Sequence, residues 1–483
     1  MSCLAPRFAD AEPWVAPGDT LLRSDLQLLA DRGIIHGPLL TWPLSWGDIS
    51  RDVVNVAPET ALNAAELAAL ARVRQRAAYE ANAQPMTPHL RVALGHDPRT
   101  LRTFEATQRE DAELEAGAQW TGLRMSYRLQ LTAVSDPDDD KTWRGDGSYV
   151  GVAVGNWMLS LGFVDRWWGP GWDGSLILSN NARPIPALAV NRNYSDPFNV
   201  PVLRKLGHWS ASILMGQLEH DAVVPDALFF GARVDFRPTP GFTFGISRTA
   251  QWCGEGRPCD ASTFFDLLTG NDNRGGSGVT LANEPGNQLA GVDWRWSLGS
   301  HGWPVSFYGQ MIGEDESNGL PSRFIGQFGA ETWARMESLH GSFRAHIEYA
   351  DTAAAFYDDP PRFDYAYEHF IYKDGYRYRG RPIGHSLDND GRLVSLGGLL
   401  TQDNGHGWSV LVQIGDLNRG GAAQNRNTVS SVPADLYDIE FGHQRELGPG
   451  RIELTLGYQS IEDHEGGGKE DGARAMAQWY WLL

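Results

Sequence analysis

The 483-residue chain contains no stretch approaching roughly 18 consecutive apolar residues, which excludes a transmembrane helix. Lysine is scarce beside arginine, and there are only 3 cysteines. No Walker A sequence, H-E-x-x-H or paired C-x-x-C occurs. No internal repeat of about 40–50 residues is found, which argues against a propeller. The balance of charge is −19, so the surface repels phosphates and nucleic acid is discarded as a partner. The chain is instead rich in glycine and aromatics, with 55 glycines, 18 tryptophans and 11% aromatic residues. At this length it suits either two or three soluble domains or one large barrel. Its mean hydropathy of −0.36 does not imply solubility, because barrel strands alternate lipid-facing and lumen-facing residues.

The chain divides by period. Residues 1–11 are expected to be the remnant of a signal peptide, with Phe8-Ala9-Asp10-Ala11 as a small-x-small cleavage site before Glu12. Residues 12–87 read as a helical segment. Asp19-Thr20 offers an N-cap, Leu21, Leu22, Leu26, Leu28 and Leu29 share a face, and Gly33 ends the helix. Leu39–Trp46 reads as a connector, and Pro58-Glu59-Thr60 opens a second helix with Leu62, Leu67, Leu70 and Val73 as its stripe. Each stripe needs a surface to bury it, which places both helices at the periplasmic mouth of the domain formed by residues 88–483.

From 88 to 483 the period is two. Phe343, Ala345, Ile347 and Tyr349 alternate with Arg344, His346 and Glu348; similar runs occupy 123–133, 228–237 and 451–459. Some sixteen to eighteen such strands, short turns alternating with long loops such as 251–285 and 351–390, predict a closed antiparallel transmembrane β-barrel, mainly β, of about 18 strands. A soluble sandwich could not bury the Arg and Glu of the second face unpaired, whereas a wet barrel interior can. Trp209, Trp408, Trp479 and Trp481 lie near strand ends, as an interfacial girdle requires.

Several motifs admit more than one reading. Gly169-Pro170-Gly171-Trp172-Asp173-Gly174 matches G-x-G-x-x-G, but SLILS rather than a helix comes next, so it is no dinucleotide site. Asp136-Pro137-Asp138-Asp139-Asp140 reads as a solvated loop before it reads as a Ca²⁺ ligand set, and Glu314, Asp315 and Glu316 as loop charges before catalytic acids. Cys253 and Cys259 sit in a Gly/Pro-rich loop. A disulfide and two free thiols are equally compatible with that spacing, and export favours the disulfide. Cys3 is incidental.

The segment 165–192 combines Arg166, Trp167, Trp168, Trp172, Asn180, Asn181 and Arg183 with Gly and Pro. Stacking faces and directional donors suit a saccharide site. An Arg–Trp stacked plug that fixes a loop inside the barrel is slightly favoured, because the stretch is rigid. A second aromatic cluster, Tyr365, Tyr367, Tyr372, Tyr376, Arg377, Tyr378 and Arg379, is the expected polysaccharide-binding face in an outer loop, with a packed loop lid as the alternative.

The segments PWVAPGDTLLRSDLQLLADRGII at 13–35, TWPLSW at 41–46, DRWWGPGWDGSLILSNNARPIPAL at 165–188, NQLAGVDWRW at 287–296 and GYRYRGRPIGHSLDNDGRL at 375–393 run in order through the chain. Together they resemble the capsule assembly Wzi family of outer-membrane proteins. The resemblance implies a barrel of about eighteen strands with an N-terminal helical bundle at its periplasmic end. It also implies a lectin-like, non-catalytic role in holding capsular polysaccharide at the cell surface. The terminal WYWLL departs from the usual aromatic terminus, and the Cys253/Cys259 loop has no place in the family pattern. No catalytic residue, metal or cofactor is expected. The expected partners are capsular polysaccharide, outer-membrane lipid and polysaccharide export machinery, with the protein a monomer. A saccharide or solute channel and an outer-membrane hydrolase are the competing functions.

Overall fold

The computed structural model describes residues 13–57, 61–81, 86–269, 286–317, 320–421, 427–448, 450–464 and 466–482. The expected signal remnant, Glu12 and Cys3 lie outside them.

Eighteen antiparallel strands close one barrel. They are β1 (Thr87–His96), β2 (Ala112–Thr121), β3 (Met125–Val134), β4 (Tyr149–Val154), β5 (Trp157–Gly162) and β6 (Ala187–Arg192). Then come β7 (His208–Gln217), β8 (Leu228–Thr239), β9 (Phe242–Trp252), β10 (Gly286–Ser297), β11 (Val305–Ser317) and β12 (Leu320–Met336). The last are β13 (Gly341–Asp351), β14 (Arg392–Gln402), β15 (Gly407–Leu417), β16 (Ala434–Leu447), β17 (Gly450–Asp463) and β18 (Lys469–Leu482). Each pairs with its neighbours in sequence, and β18 closes on β1 with Trp479 opposite Val92 and Trp481 opposite Leu90. Closure is what a bilayer demands, since lipid offers no hydrogen bonds to a free strand edge.

The alternation is inside-out relative to a soluble protein. In β13, Ile347 is 52% exposed on the lipid face while Arg344, His346 and Glu348 are buried in the lumen. Inward charges are paired: Arg233 with Asp235 and Asp293, Arg295 with Asp31 and Glu331, and Arg474 with Asp438 and Glu440. Such pairs offset the desolvation of each ion only while both partners are present.

Tight turns such as those between β4 and β5 or β8 and β9 lie at one end, and the long connections 97–111, 135–148, 163–186 and 352–391 at the other. The short-turn end is the periplasmic one in barrels of this class. Trp157, Trp209, Trp296, Trp408 and Trp479 all occupy that end of their strands.

Three helices stop this end. Asp19 caps α1 (Thr20–Asp31), accepting from the Leu22 N–H at 2.9 Å. Ser45 caps α2 (Trp46–Val54), whose first residue falls in the stretch that the sequence pattern marks as connector. A reciprocal capping box between Asn63 and Glu66 opens α3 (Ala64–Ala81), a few residues later than the Pro58–Thr60 signal suggests. Leu26, Leu29, Ile49, Val53, Leu70 and Val73 form one core with Trp42 and Trp167. The bundle is bolted to the wall: Arg295 grips Asp31 through both terminal nitrogens, at 2.5 and 2.7 Å, and Arg237 donates to the Ile35 carbonyl. A fourth helix, α4 (Ala261–Thr269), lies in the long-loop end after β9.

Candidate functional site

The 163–186 connection folds back into the lumen instead of projecting outward. Trp167 and Trp168 form a two-residue bridge with Trp42 and Thr41, and both rings are fully buried. The wall receives the Gly-rich turn through its side chains. Gln310 accepts from the Leu176 N–H at 2.7 Å and donates to the Trp168 carbonyl at 2.8 Å. Glu348 accepts from the Trp172 and Asp173 N–H groups, and Glu331 from the Trp172 indole at 3.0 Å. Glycine is required where the approach is closest: a Cβ on Gly174 would lie 2.0 Å from the His385 ring, and one on Gly171 2.2 Å from Gln327 Nε2. From below, the Arg23 guanidinium is held between the Phe104 and Trp172 rings, 4.3 and 4.2 Å from their centroids, and donates to the Pro170 carbonyl.

The 352–391 connection covers this plug. Tyr367 donates to the Leu176 carbonyl at 2.6 Å and Tyr376 to that of Ile177 at 2.7 Å. Tyr372 donates to the Cys253 carbonyl, and Asn181 to that of Pro382. Arg377 forks onto Asp388 and also reaches Glu368. These contacts correct the expectation of an open aromatic face. Tyr367, Tyr372, Tyr376, Arg377 and Tyr378 are buried, because this cluster is occupied anchoring one loop to another. Tyr365, against Arg323, and Arg379 keep partial exposure. Of the Trp-rich set, Trp167, Trp168, Trp172, Asn180, Asn181 and Arg166 are buried in the plug, while Arg183 ties it to Asp146 and Asp139 at the long-loop end. Cys253 and Cys259 are bonded to each other beside α4. The acidic run also holds loops together: Asp139 accepts from Arg144 and Arg183, and Asp138 pairs with Arg381.

Above the plug, at the long-loop end, lies a cavity of 580 Å³. Arg99, Arg109, Arg379 and Arg381 line it together with four carboxylates, Glu110, Asp111, Asp136 and Asp138. Only Arg379 among these arginines stands out from sequence. Arg379-Gly380-Arg381 is a usable signal, but Arg109 comes from the distant 97–111 connection. Arg109 spends its donors on the carbonyls of Asn180, Asn181 and Ala182 rather than on a carboxylate. Burial and the neighbouring Arg381 guanidinium pull it down to about 10. A second cavity of 260 Å³ lies beneath, between plug and wall, and shares Arg109 in its lining. The upper cavity therefore sets guanidinium donors beside carboxylate acceptors at the long-loop end, with Arg99 and Arg381 ion-paired and Arg109 bound to carbonyls. Among the described residues His220, Asp226 and Glu255 also bring ligand-type atoms within 4.8 Å of one another, and His220 there is ion-paired with Asp226.

Comparison with known proteins bears on this geometry. The model of the family "Capsule assembly protein Wzi" matches residues 81–471. A 55.8 kDa protein in the cps region of Klebsiella pneumoniae is 36% identical over 407 residues, covering 83% of this chain and 77% of its own. Among solved structures, Wzi of Escherichia coli superposes with a TM-score of 0.84 at 31% identity, over 97% of this chain and 99% of that one. That protein is described as an outer-membrane, carbohydrate-binding β-barrel involved in group 1 capsule assembly.

Proposed function

The chain belongs to the Wzi capsule assembly family and is an outer-membrane β-barrel, and from that premise we propose that it binds capsular polysaccharide at its outer mouth and holds the capsule to the cell surface. The observation that carries the reading is the cavity of 580 Å³ over the plug, where four arginines and four carboxylates offer both donors and acceptors to sugar hydroxyls. Guanidinium groups donate in a planar fork to hydroxyls and to uronate carboxylates, so acidic and neutral glycans both fit. Arg379 of this lining keeps partial exposure.

The protein works here as a monomer and turns nothing over. Glu110, the buried carboxylate of the cavity lining, is engaged by Arg144 rather than poised for proton transfer. A channel reading is disfavoured by the plug, whose backbone is hydrogen-bonded to the wall from Trp168 to Leu176. The two parts divide the work: residues 12–87 stop the periplasmic end, and the barrel from 88 onward presents the loops. Contact with the polysaccharide export machinery would fall to that periplasmic end.

Purified protein should retain the host's own capsular polysaccharide in surface plasmon resonance. Arg379→Ala with Arg381→Ala should weaken retention by on the order of tenfold per lost charged contact. The variant should still show heat-modifiable migration. Undiminished retention would move the site elsewhere, and depolymerisation of the capsule would replace the lectin reading by the hydrolase one.

A further inference from the structure

A groove of 630 Å³ opens at the periplasmic rim, between α2 and the β2–β3 turn. Its lining is mostly apolar: Trp46 and Val54 from the helix, Leu123 and Met125 from the turn, and Met158 and Tyr194 from the strand ends beside it. Leu123 is 99% exposed, Val54 69% and Met125 52%. In water, apolar side chains so placed forfeit about 25 cal/mol for each Å² left uncovered. They lie at the level of the tryptophan girdle, where Trp157 begins β5 and Trp120 nears the end of β2. Arg124 stands between Leu123 and Met125. Its carbonyl accepts from the Ala153 N–H at 2.7 Å, and its exposed guanidinium has no ion-pair partner among the described residues. The other arginine of the lining, Arg51, is held by Asp48 and Asp196.

We propose that this groove binds one glycerophospholipid of the inner leaflet, with its phosphodiester on Arg124 and its glycerol and upper acyl chains on Leu123, Met125 and Val54. A cation flanked by two exposed apolar side chains at an aromatic belt matches the order of a lipid from headgroup to chain. The guanidinium is the one uncommitted cation of the lining among the described residues, and it makes two parallel hydrogen bonds to a phosphate. The helix side of the groove comes from the periplasmic bundle, so the bound lipid cements the bundle to the rim. Zwitterionic and anionic phospholipids share the phosphodiester, and the test separates them.

Full-length barrel, delipidated in mild detergent, is probed by native mass spectrometry with phosphatidylethanolamine, phosphatidylglycerol or diacylglycerol. The wild type should retain one molecule of either phospholipid, because both present the phosphodiester to Arg124. Diacylglycerol should be lost. Arg124→Ala and Leu123→Ser should each reduce retention by on the order of tenfold. Trp143→Ala, exposed at the opposite end, should not. Heat-modifiable migration reports that each variant is folded. Retention of diacylglycerol equal to phospholipid, undiminished retention by Arg124→Ala, or no retention by the wild type would each overturn the proposal.

Discussion

Trp172 donates its indole N–H to Glu331 while its ring faces the Arg23 guanidinium. Trp172→Ala therefore leaves a void and strips a buried carboxylate of one donor. Large-to-small replacements of this kind cost about 3–5 kcal/mol. The expected result is a lower urea midpoint for the barrel in lipid vesicles, with a smaller shift for Trp172→Phe. Asp390, at the inner end of the 352–391 connection, makes a pH prediction. Burial pushes its carboxyl up to about 7, against about 4 in an unfolded chain. Below pH 4 both states hold the proton. Between 4 and 7 the unfolded chain releases it while the folded loop keeps it, so this residue's contribution to stability falls as pH rises, and it stays low above 7. Asp390→Asn should thus protect the amides around 388–391 from hydrogen exchange at pH 8 and leave them unchanged at pH 4. An equal effect of the substitution at both pH values would mean that the carboxyl titrates normally. At this scale the sequence is ambiguous for a definite reason. A tyrosine cluster that stacks on sugar and one that pins a loop have the same composition. Only the carbonyls that receive Tyr367 and Tyr376 distinguish them.

Elements are legible where one face alternates or one cap stands out. The run 343–349 lies within β13, 451–459 within β17, and Asp19 and Gly33 bracket α1 with its cap. The 9-residue α2 is partly hidden because the Trp and Pro of 41–46 read as connector, although Ser45 is available as a cap. The plug is harder to read, since its hydrogen bonds go to Gln310, Gln327, Glu331 and Glu348 on strands far along the chain. Two obstructions enter the lumen, the helical bundle from one end and the 163–186 connection from the other. Deleting 13–81 alone should leave single-channel conductance close to that of the intact protein. Removing 169–182 as well should open a pore of much larger conductance. Full opening by the first deletion would show that the loop plug depends on Arg23 and the bundle for its place.

For the whole molecule, the period-2 pattern and the loop asymmetry are enough to specify a closed barrel of about 18 strands, and 18 are present. The outer cavity is not legible, because its arginines come from the 97–111 and 352–391 connections and meet only after closure. A cell lacking the protein should still synthesise capsule but shed it into the medium, measured as the ratio of free to cell-bound polymer. Loss of synthesis would place the protein earlier, in export.

The seam between β18 and β1 also dictates an order of events. Arg91 and Gln478, joined across it, are 387 residues apart in the chain. Such a contact forms late, because loop closure must precede any gain from it. Every other strand pair can zip with its sequence neighbour first, leaving a curled sheet with two raw edges. The helical bundle is covalently attached just ahead of one of those edges, and the plug hangs from the wall between β5 and β6. A stalled seam would leave β1 and β18 as templates for the strands of another chain.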